Sequence, residues 1–481
     1  MYAVHPGLIL LFILLYFSAL LLISGWTARK AGNDSYFLGD HASPWYAVAI
    51  GMIGDSLSGV TYISVPGQVG TAHFSYMQIV LGYVVGYWLI ALILLPLYYR
   101  MQLTSIYTYL LHRFGPRAQK TGSFFFILSR LLGAAGRLYL AISVLQLFVF
   151  DAMGIPFALS TAVVIGLMLV YTLRGGIKTL VWTDVFQSVF LLMGVVFSIL
   201  FISRALDYQV SEVWKTLLHS PHTQVFHWDV LPKTFFWKQF LAGIFICVAM
   251  TGLDQNMMQK NLSCRSLPEA QKNMFWFSGI VLVVNFLFLA LGALLFHFAE
   301  QKGIAIPEKT DALFPLLAMQ HLGTAAGMMF IVGLTAATFN SADSVLTSLT
   351  TAWYMDFLPA ERQTEKIRIK IHIGFGILLL MVILVFQAMQ QDAIINTILM
   401  LAGFTYGPLL GLFAMGITTQ RNVNDRWIPL ICIIAPVTTW LIQTQAPDYL
   451  GGYQIGSELL VINGGITLMG LWLIHPKTKS T

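Results

Sequence analysis

The apolar segments of this chain recur at the length of a bilayer crossing, and that spacing limits the fold more than any other feature. Runs able to span the hydrocarbon, about 17–25 residues or longer, fall at 7–27, 44–71, 74–99, 121–150, 155–173, 179–203, 235–258, 273–299, 323–350, 369–388, 393–417, 427–444 and 457–475. They predict an all-α polytopic membrane protein with about 13 transmembrane helices. Composition agrees, because only 10% of the 481 residues are charged and the mean hydropathy is +0.75, whereas a soluble domain carries about a quarter charged residues. The net charge of +6 is scattered between apolar runs. It therefore points to a lipid bilayer and not to nucleic acid.

Cys247, Cys264 and Cys432 have neither a disulfide framework nor metal-ligand spacing. The first run lacks a basic leader and a small-residue cleavage site, so it reads as a retained helix. With the amino terminus outside, basic residues such as Arg29, Lys30, Arg113, Lys178, Lys260, Arg368, Lys477 and Lys479 collect on the cytoplasmic side, and few remain opposite. This asymmetry predicts N-out and C-in. The sequon at Asn261 would then face the cytoplasm and stay unmodified. The polar connection 204–234 is external and long enough for a short helix, and the loop 300–322 shares its side.

One run is not a plain anchor. Residues 51–70, GMIGDSLSGVTYISVPGQVG, carry five glycines and Pro66, and each weakens a helix, by about 1 kcal/mol for Gly and about 3 for Pro. Lipid offers no partner for freed backbone groups, so irregular chain at this depth must be buried in protein or line a cavity. The run 235–258 is interrupted similarly, by Gly243, Gly252 and the cluster Asp254-Gln255-Asn256. Paired interrupted helices five runs apart predict an inverted repeat of five plus five helices around a central binding site.

Polar side chains concentrate near these breaks. Asp184 stands in VWTDVFQ inside an otherwise apolar run, where an unpaired carboxylate costs at least about 2.5 kcal/mol. It reads either as a functional group or as a carboxylate bonded to a nearby hydroxyl or placed at the interface for structural reasons. Asn340, Ser344 and Thr347 share one helical face. Their oxygens suit a hard cation, or equally interhelical hydrogen bonds. Asp55, Asp184 and Asp343 cannot all sit ionised and unpaired, so cations, a basic residue or a proton must compensate them. Arg137 is the evident counter-charge, either for a solute carboxylate through a bidentate pair or for Asp55. Arg130 reads as structural or snorkelling.

Several stretches in order resemble the sodium:solute symporter family: YFLG at 36–39, the SLSG and PG of the broken helix, TSIYTYLLHRFG at 104–115, YTLRGGIKTLVWTDVFQ at 171–187, DQNMMQK at 254–260 and AATFNSADSVLTSLTT at 336–351. The resemblance implies a LeuT-type core in one transmembrane domain spanning 1–481, with an extra helix at 7–27, inverted repeats at 44–203 and 235–417, and two further helices at 427–475. It implies a sodium site from backbone oxygens of Gly54, Leu57 and Ala337 with side chains of Asn340 and Ser341, where Asn340 departs from the usual hydroxyl. It also implies a second cation near Asp184, Asp343 and Ser344, and solute contacts at Ser56, Ser58 and Thr61. Gln78, Arg137, Gln255 and Asn256 are further solute candidates.

The expected activity is sodium-coupled import of a small organic solute by alternating access at a bacterial inner membrane. Sodium is the only metal required, with no cofactor, and a single copy is competent. Sugars, sugar acids and monocarboxylates all fit. Proton coupling, through Asp55 or Asp343, and a transporter-like sensor are the alternatives. An enzyme is not expected, because the histidines scatter without ligand spacing and no nucleophile motif or phosphate loop is present.

Overall fold

The structure, a computed structural model, describes residues 6–29, 32–389, 391–449 and 453–474. Lys30, Lys477 and Lys479, which enter the charge asymmetry, lie outside the described residues. Among the described residues nine helices are long and apolar enough to cross a membrane, and counting each of two sharply bent pairs as one span raises this to eleven. The unbroken spans are α1 (Pro6–Thr27), α4 (Tyr76–Arg100), α5 (Pro116–Leu145), α6 (Phe157–Gly175), α7 (Ile177–Ala205), α10 (Leu267–Gln301), α11 (Thr324–Asp356), α12 (Glu365–Ala388) and the helix within Asp425–Tyr449, α14. The bent pairs are α2 (Trp45–Ser56) with α3 (Gly59–Ala72), at 64°, and α8 (Phe236–Gly252) with α9 (Gln255–Leu262), at 65°. Two further apolar helices are α13 (Gln391–Thr418) and α15 (Leu459–Leu473).

Both breaks fall where the sequence loses its helix formers. At the first, Leu57 (φ −111°, ψ 82°) and Ser58 (φ −72°, ψ 172°) leave helical dihedrals between Gly54 and Gly59. At the second, Leu253 and Asp254 separate the halves, and the Asp254 carboxylate caps α9 by accepting from the Met257 N–H at 3.1 Å. Gly243 is a correction to the expectation, because it lies inside the regular part of α8. A Cβ on it would approach Gly82 Cα of α4 to 3.2 Å, so its role is close helix packing and not interruption.

α11 is the axis of the molecule: 83% of its most apolar window is buried, against 22% for the window in α14. It packs on α7, α5, α12 and α2, while α13 and α15 pair on the other side of α5. The centre therefore lies where both breaks face α7 and α11. The connection 204–234 carries the short helix Val210–His219, as its length suggested. The turn Thr310–Ala312 rests on α3, where Ser64 Oγ donates to Asp311 Oδ2 at 2.8 Å.

Candidate binding site

Lys260, near the end of α9, carries the centre's first surprise. Its charge was expected on the cytoplasmic surface, yet its side chain is 1% exposed. Its ammonium donates to Asp55 of α2, to Asp184 of α7 and, at 2.8 Å, to Ser344 Oγ of α11. One cation thus joins four elements. Asn256, one turn earlier on α9, adds a bond from Nδ2 to Asp55 Oδ1 at 3.2 Å. The partner of Asp55 is therefore Lys260 and not Arg137. The Lys260 ammonium likewise faces Asp184 and Ser344, two of the three residues expected to hold a second cation. Asp343 itself accepts from Tyr171 Oη at 2.6 Å. Its neighbour Gln187 donates from Nε2 at 3.4 Å.

The second charged pair sits across the other break. Arg130 of α5 bonds Asp254 from Nε at 2.6 Å and the Met250 carbonyl from Nη2 at 3.2 Å, while Tyr406 of α13 donates to the same Asp254 oxygen. Arg130 is therefore a buried structural partner and does not snorkel. The carbonyls this break frees find donors too: Tyr98 Oη to Gly252 at 2.9 Å and Tyr107 Oη to Leu253 at 3.0 Å.

The first break is left open. A cavity of about 240 Å³ borders it, lined by Ser56, Ser58, Thr61, Tyr76, Arg137 and Tyr406 among others. A smaller one of about 100 Å³ reaches from Ser56, Arg130 and Arg137 to Asp55, Tyr87 and Thr251. Arg137 lines both and makes no ion pair or hydrogen bond among the described residues. A larger cavity of about 840 Å³, between the end of α5 and the start of α6, contains none of the break residues.

Sodium-site candidates meet behind this break. A Cβ added to Gly54 would overlap the Asn340 amide and lie 2.9 Å from Oδ1. Asn340 Nδ2 donates to the Asp184 carbonyl at 3.2 Å, and its Oδ1 is buried with no donor, as is Asp184 Oδ1. Ser341 Oγ donates to the Thr338 carbonyl at 3.0 Å, leaving its lone pairs free. Ala337 lies inside the unbroken α11, so its carbonyl has only a second lone pair to offer. The last turn of α2, with Gly54, and the non-helical Leu57 supply carbonyls that the break removes from the helical ladder.

Two solute candidates stand elsewhere. Gln78 bonds the Thr234 carbonyl at 2.9 Å, Gln239 at 2.7 Å and the His227 N–H at 3.2 Å, tying the connection 204–234 to α4. Gln255 bonds the Ile106 N–H at 2.9 Å and the Thr104 carbonyl at 2.8 Å. Both amides already have partners within the protein and line neither cavity at the first break. Asn261 is also buried, bonded to Met257 O at 2.9 Å and to Asn273 at 2.8 Å. The histidines are less scattered than their numbers suggest, since His73 stacks on His222 and His227 with centroids 5.7 and 6.0 Å away. No group of three or more His, Cys, Asp or Glu among the described residues is arranged to hold a metal ion.

Lys260, Tyr171 and Tyr406 are the central residues that sequence reasoning missed or misassigned. One signal was available for the first: Asn256 and Lys260 are four apart in a motif that follows an interrupted helix, so they share a face.

The comparisons fit this geometry. The model of the sodium:solute symporter family matches residues 36–425. The sodium/sialic acid symporter SiaT of Proteus mirabilis is 25% identical over 94% of this chain and 93% of its own. The sodium-coupled monocarboxylate transporter 2 of Danio rerio is 25% identical over 81% of this chain and 63% of its own. A solved sodium-coupled sialic acid symporter in a substrate-bound outward-open state superposes with a TM-score of 0.81, at 22% identity, over 98% of both chains.

Proposed function

Because this chain belongs to the sodium:solute symporter family, and is thus a sodium-coupled carrier and not an enzyme, we propose that it takes up a hydroxylated carboxylic acid of the sugar-acid type. The observation that carries this reading is Arg137, a guanidinium that lines the cavity at the first break without a carboxylate of its own among the described residues. A half-buried guanidinium inside a membrane protein is costly unless a ligand supplies the counter-charge. Ser56, Ser58 and Thr61 offer hydroxyls beside it, and Tyr76 and Tyr406 offer ring faces. At about 240 Å³ the space suits a small solute, below the range of drug-sized pockets. The relatives named for sialic acid and for monocarboxylates, both acids, support the class.

Sodium binds between the carbonyls of Gly54 and Leu57 and the side chains of Asn340 and Ser341, with Ala337 adding its second lone pair. The unpartnered Oδ1 of Asn340 supports this placement. By joining the broken helix to α11, sodium favours the outward-open state, and its loss inside releases the two. One charge moving down 100 mV releases about 2.3 kcal/mol, enough for roughly fiftyfold accumulation. Counting α13 and α15 as crossings gives thirteen, arranged as an inverted repeat of 44–203 and 235–417 with one helix before and two after. The amino terminus lies outside and the carboxyl terminus in the cytoplasm.

The test is uptake into proteoliposomes under an imposed sodium gradient, comparing N-acetylneuraminate, lactate and glucose. Sodium-driven uptake of N-acetylneuraminate that Arg137→Gln abolishes is the expected result. Preference for lactate would shift the solute to small monocarboxylates. Preference for glucose, unaffected by Arg137→Gln, would refute the reading.

A further inference from the structure

We infer that the smaller cavity at the first break is a subsite for a hydroxylated arm of the solute, selected by Thr251 and Tyr87. The inference rests on the acid-binding reading of Arg137 and adds to it what flanks the carboxylate. The cavities of about 240 and 100 Å³ are both lined by Ser56, Arg130, Arg137 and Met250, so they share one wall. A carboxylate held at Arg137 therefore has space on two sides.

The polar lining of the smaller cavity is mostly hydroxyl and thiol, gathered from three helices. The Tyr87 hydroxyl of α4 faces those of Ser56 in α2 and Thr251 in α8, and the Cys247 thiol faces Thr251 and Tyr87. Tyr83, one turn before Tyr87, completes the set. A hydroxyl both donates and accepts, which suits a partner that does the same. Arg130 is already paired with Asp254 and brings no free charge. At the inner end Asp55 accepts from Asn256 and Lys260, and a carboxylate has lone pairs left for a further donor. An anion placed there would face that carboxylate, whereas a neutral hydroxyl can donate to it.

Ile246, Met250 and Met257 supply the apolar remainder, and methionine adapts to irregular shapes. Hydroxyls on some walls and thioethers on others match a chain of CHOH units, whose carbons are apolar and whose oxygens are not. A space of about 100 Å³ takes several water-sized groups, hence on the order of two or three such units. Ser56 borders the first break and Thr251 the second, so one arm touches both broken helices.

The test is isothermal titration of the full chain, in detergent with saturating sodium, using N-acetylneuraminate and the same acid with its glycerol arm shortened to a hydroxymethyl group. Wild type is expected to bind the intact acid about tenfold more tightly, the worth of one or two hydrogen bonds. Thr251→Val, which replaces the hydroxyl by a methyl group, is expected to weaken the intact acid and erase most of that preference. Wild type that binds both acids equally would overturn the subsite, and so would a Thr251→Val that weakens both alike or neither. If Thr251→Val yields no folded protein, Tyr87→Phe is titrated with the same pair, and an unchanged preference there overturns the subsite. Binding of neither acid to wild type would refute the sugar-acid reading of Arg137, and the subsite with it.

Discussion

The two broken helices bend almost equally, by 64° and 65°, yet they are finished differently. The break between α8 and α9 is closed. Tyr98 and Tyr107 bond its free carbonyls, Asp254 caps the second half, and Arg130 with Tyr406 neutralises Asp254. The break between α2 and α3 has Ser58 Oγ only 3.5 Å from Thr61 and opens on the cavity that Arg137 lines. The same backbone device thus makes a closed joint in one place and, under the function proposed above, a binding surface in the other. What separates them is whether other side chains of the protein bond the freed polar groups.

The largest effect should follow from breaking the closed joint. Arg130→Gln leaves Asp254 buried and uncompensated, and the expected loss is about 3–5 kcal/mol of stability, seen as a collapse of the melting temperature in detergent. A variant that melts like wild type would show that this pair is not structural.

The open break should respond in binding and not in stability. Arg137→Gln is expected to weaken a carboxylate solute by about 30-fold or more, the range for removing one partner of a buried charged contact, with stability changed by no more than about 0.5 kcal/mol. Isothermal titration beside a melting curve separates the two. A large fall in melting temperature without ligand would make Arg137 a structural residue like Arg130.

Asn340→Ala removes the side-chain oxygen behind the open break, and the sodium concentration for half-maximal uptake is expected to rise about tenfold, or about 1.4 kcal/mol. An unchanged sodium dependence would remove Asn340 from the site. Tyr98→Phe should cost only about 0.5–1.5 kcal/mol, the worth of one hydrogen bond to a freed carbonyl. A loss several times larger would mean that the closed joint is cooperative.

The smallest effect lies outside the membrane, at the contact of Asp40 with Lys178, 2.9 Å long and more than a third exposed. Partial burial acts to raise the Asp40 carboxyl, but the hydrogen bonds from Lys178 and Ser35 outweigh it and hold the group below its ordinary value. A depressed carboxyl contributes stability above its unfolded value of about 3.9 and loses it as pH falls through the folded one. Asp40→Asn should therefore cost at most about 1 kcal/mol after screening, with the difference from wild type vanishing at pH well below 4. A difference that persists there would assign it to packing.

The apolar helices, of which nine to eleven of the expected thirteen are long and apolar enough to cross among the described residues, the two interruptions and the grouping of polar residues on α11 were legible because each is a local property. Periodicity, helix-breaking residues and spacing on one helix are written along the chain. The expected run 44–71 and the observed pair Trp45–Ser56 and Gly59–Ala72 agree because Gly54 and Gly59 weaken the helix wherever it packs. Gly243 misled because a glycine that interrupts and a glycine that lets two helices touch read identically until the partner helix is known.

Partnership was not legible, for the same reason. Lys260 lies 205 positions from Asp55 and 76 from Asp184, and the spacing it shares with Asn256 places it on a face without saying which carboxylates that face meets. Gln78 and Gln255 looked like solute ligands because an amide in a membrane needs partners, and only the packing revealed that the protein supplies them. By itself the sequence determined that this chain spans the membrane and where its helices must break, because those follow from the solvent and the chain's own stiffness. Tertiary structure alone decided which break is closed, which is open, and which cation neutralises each buried carboxylate, because those depend on what distant segments bring within a few ångströms.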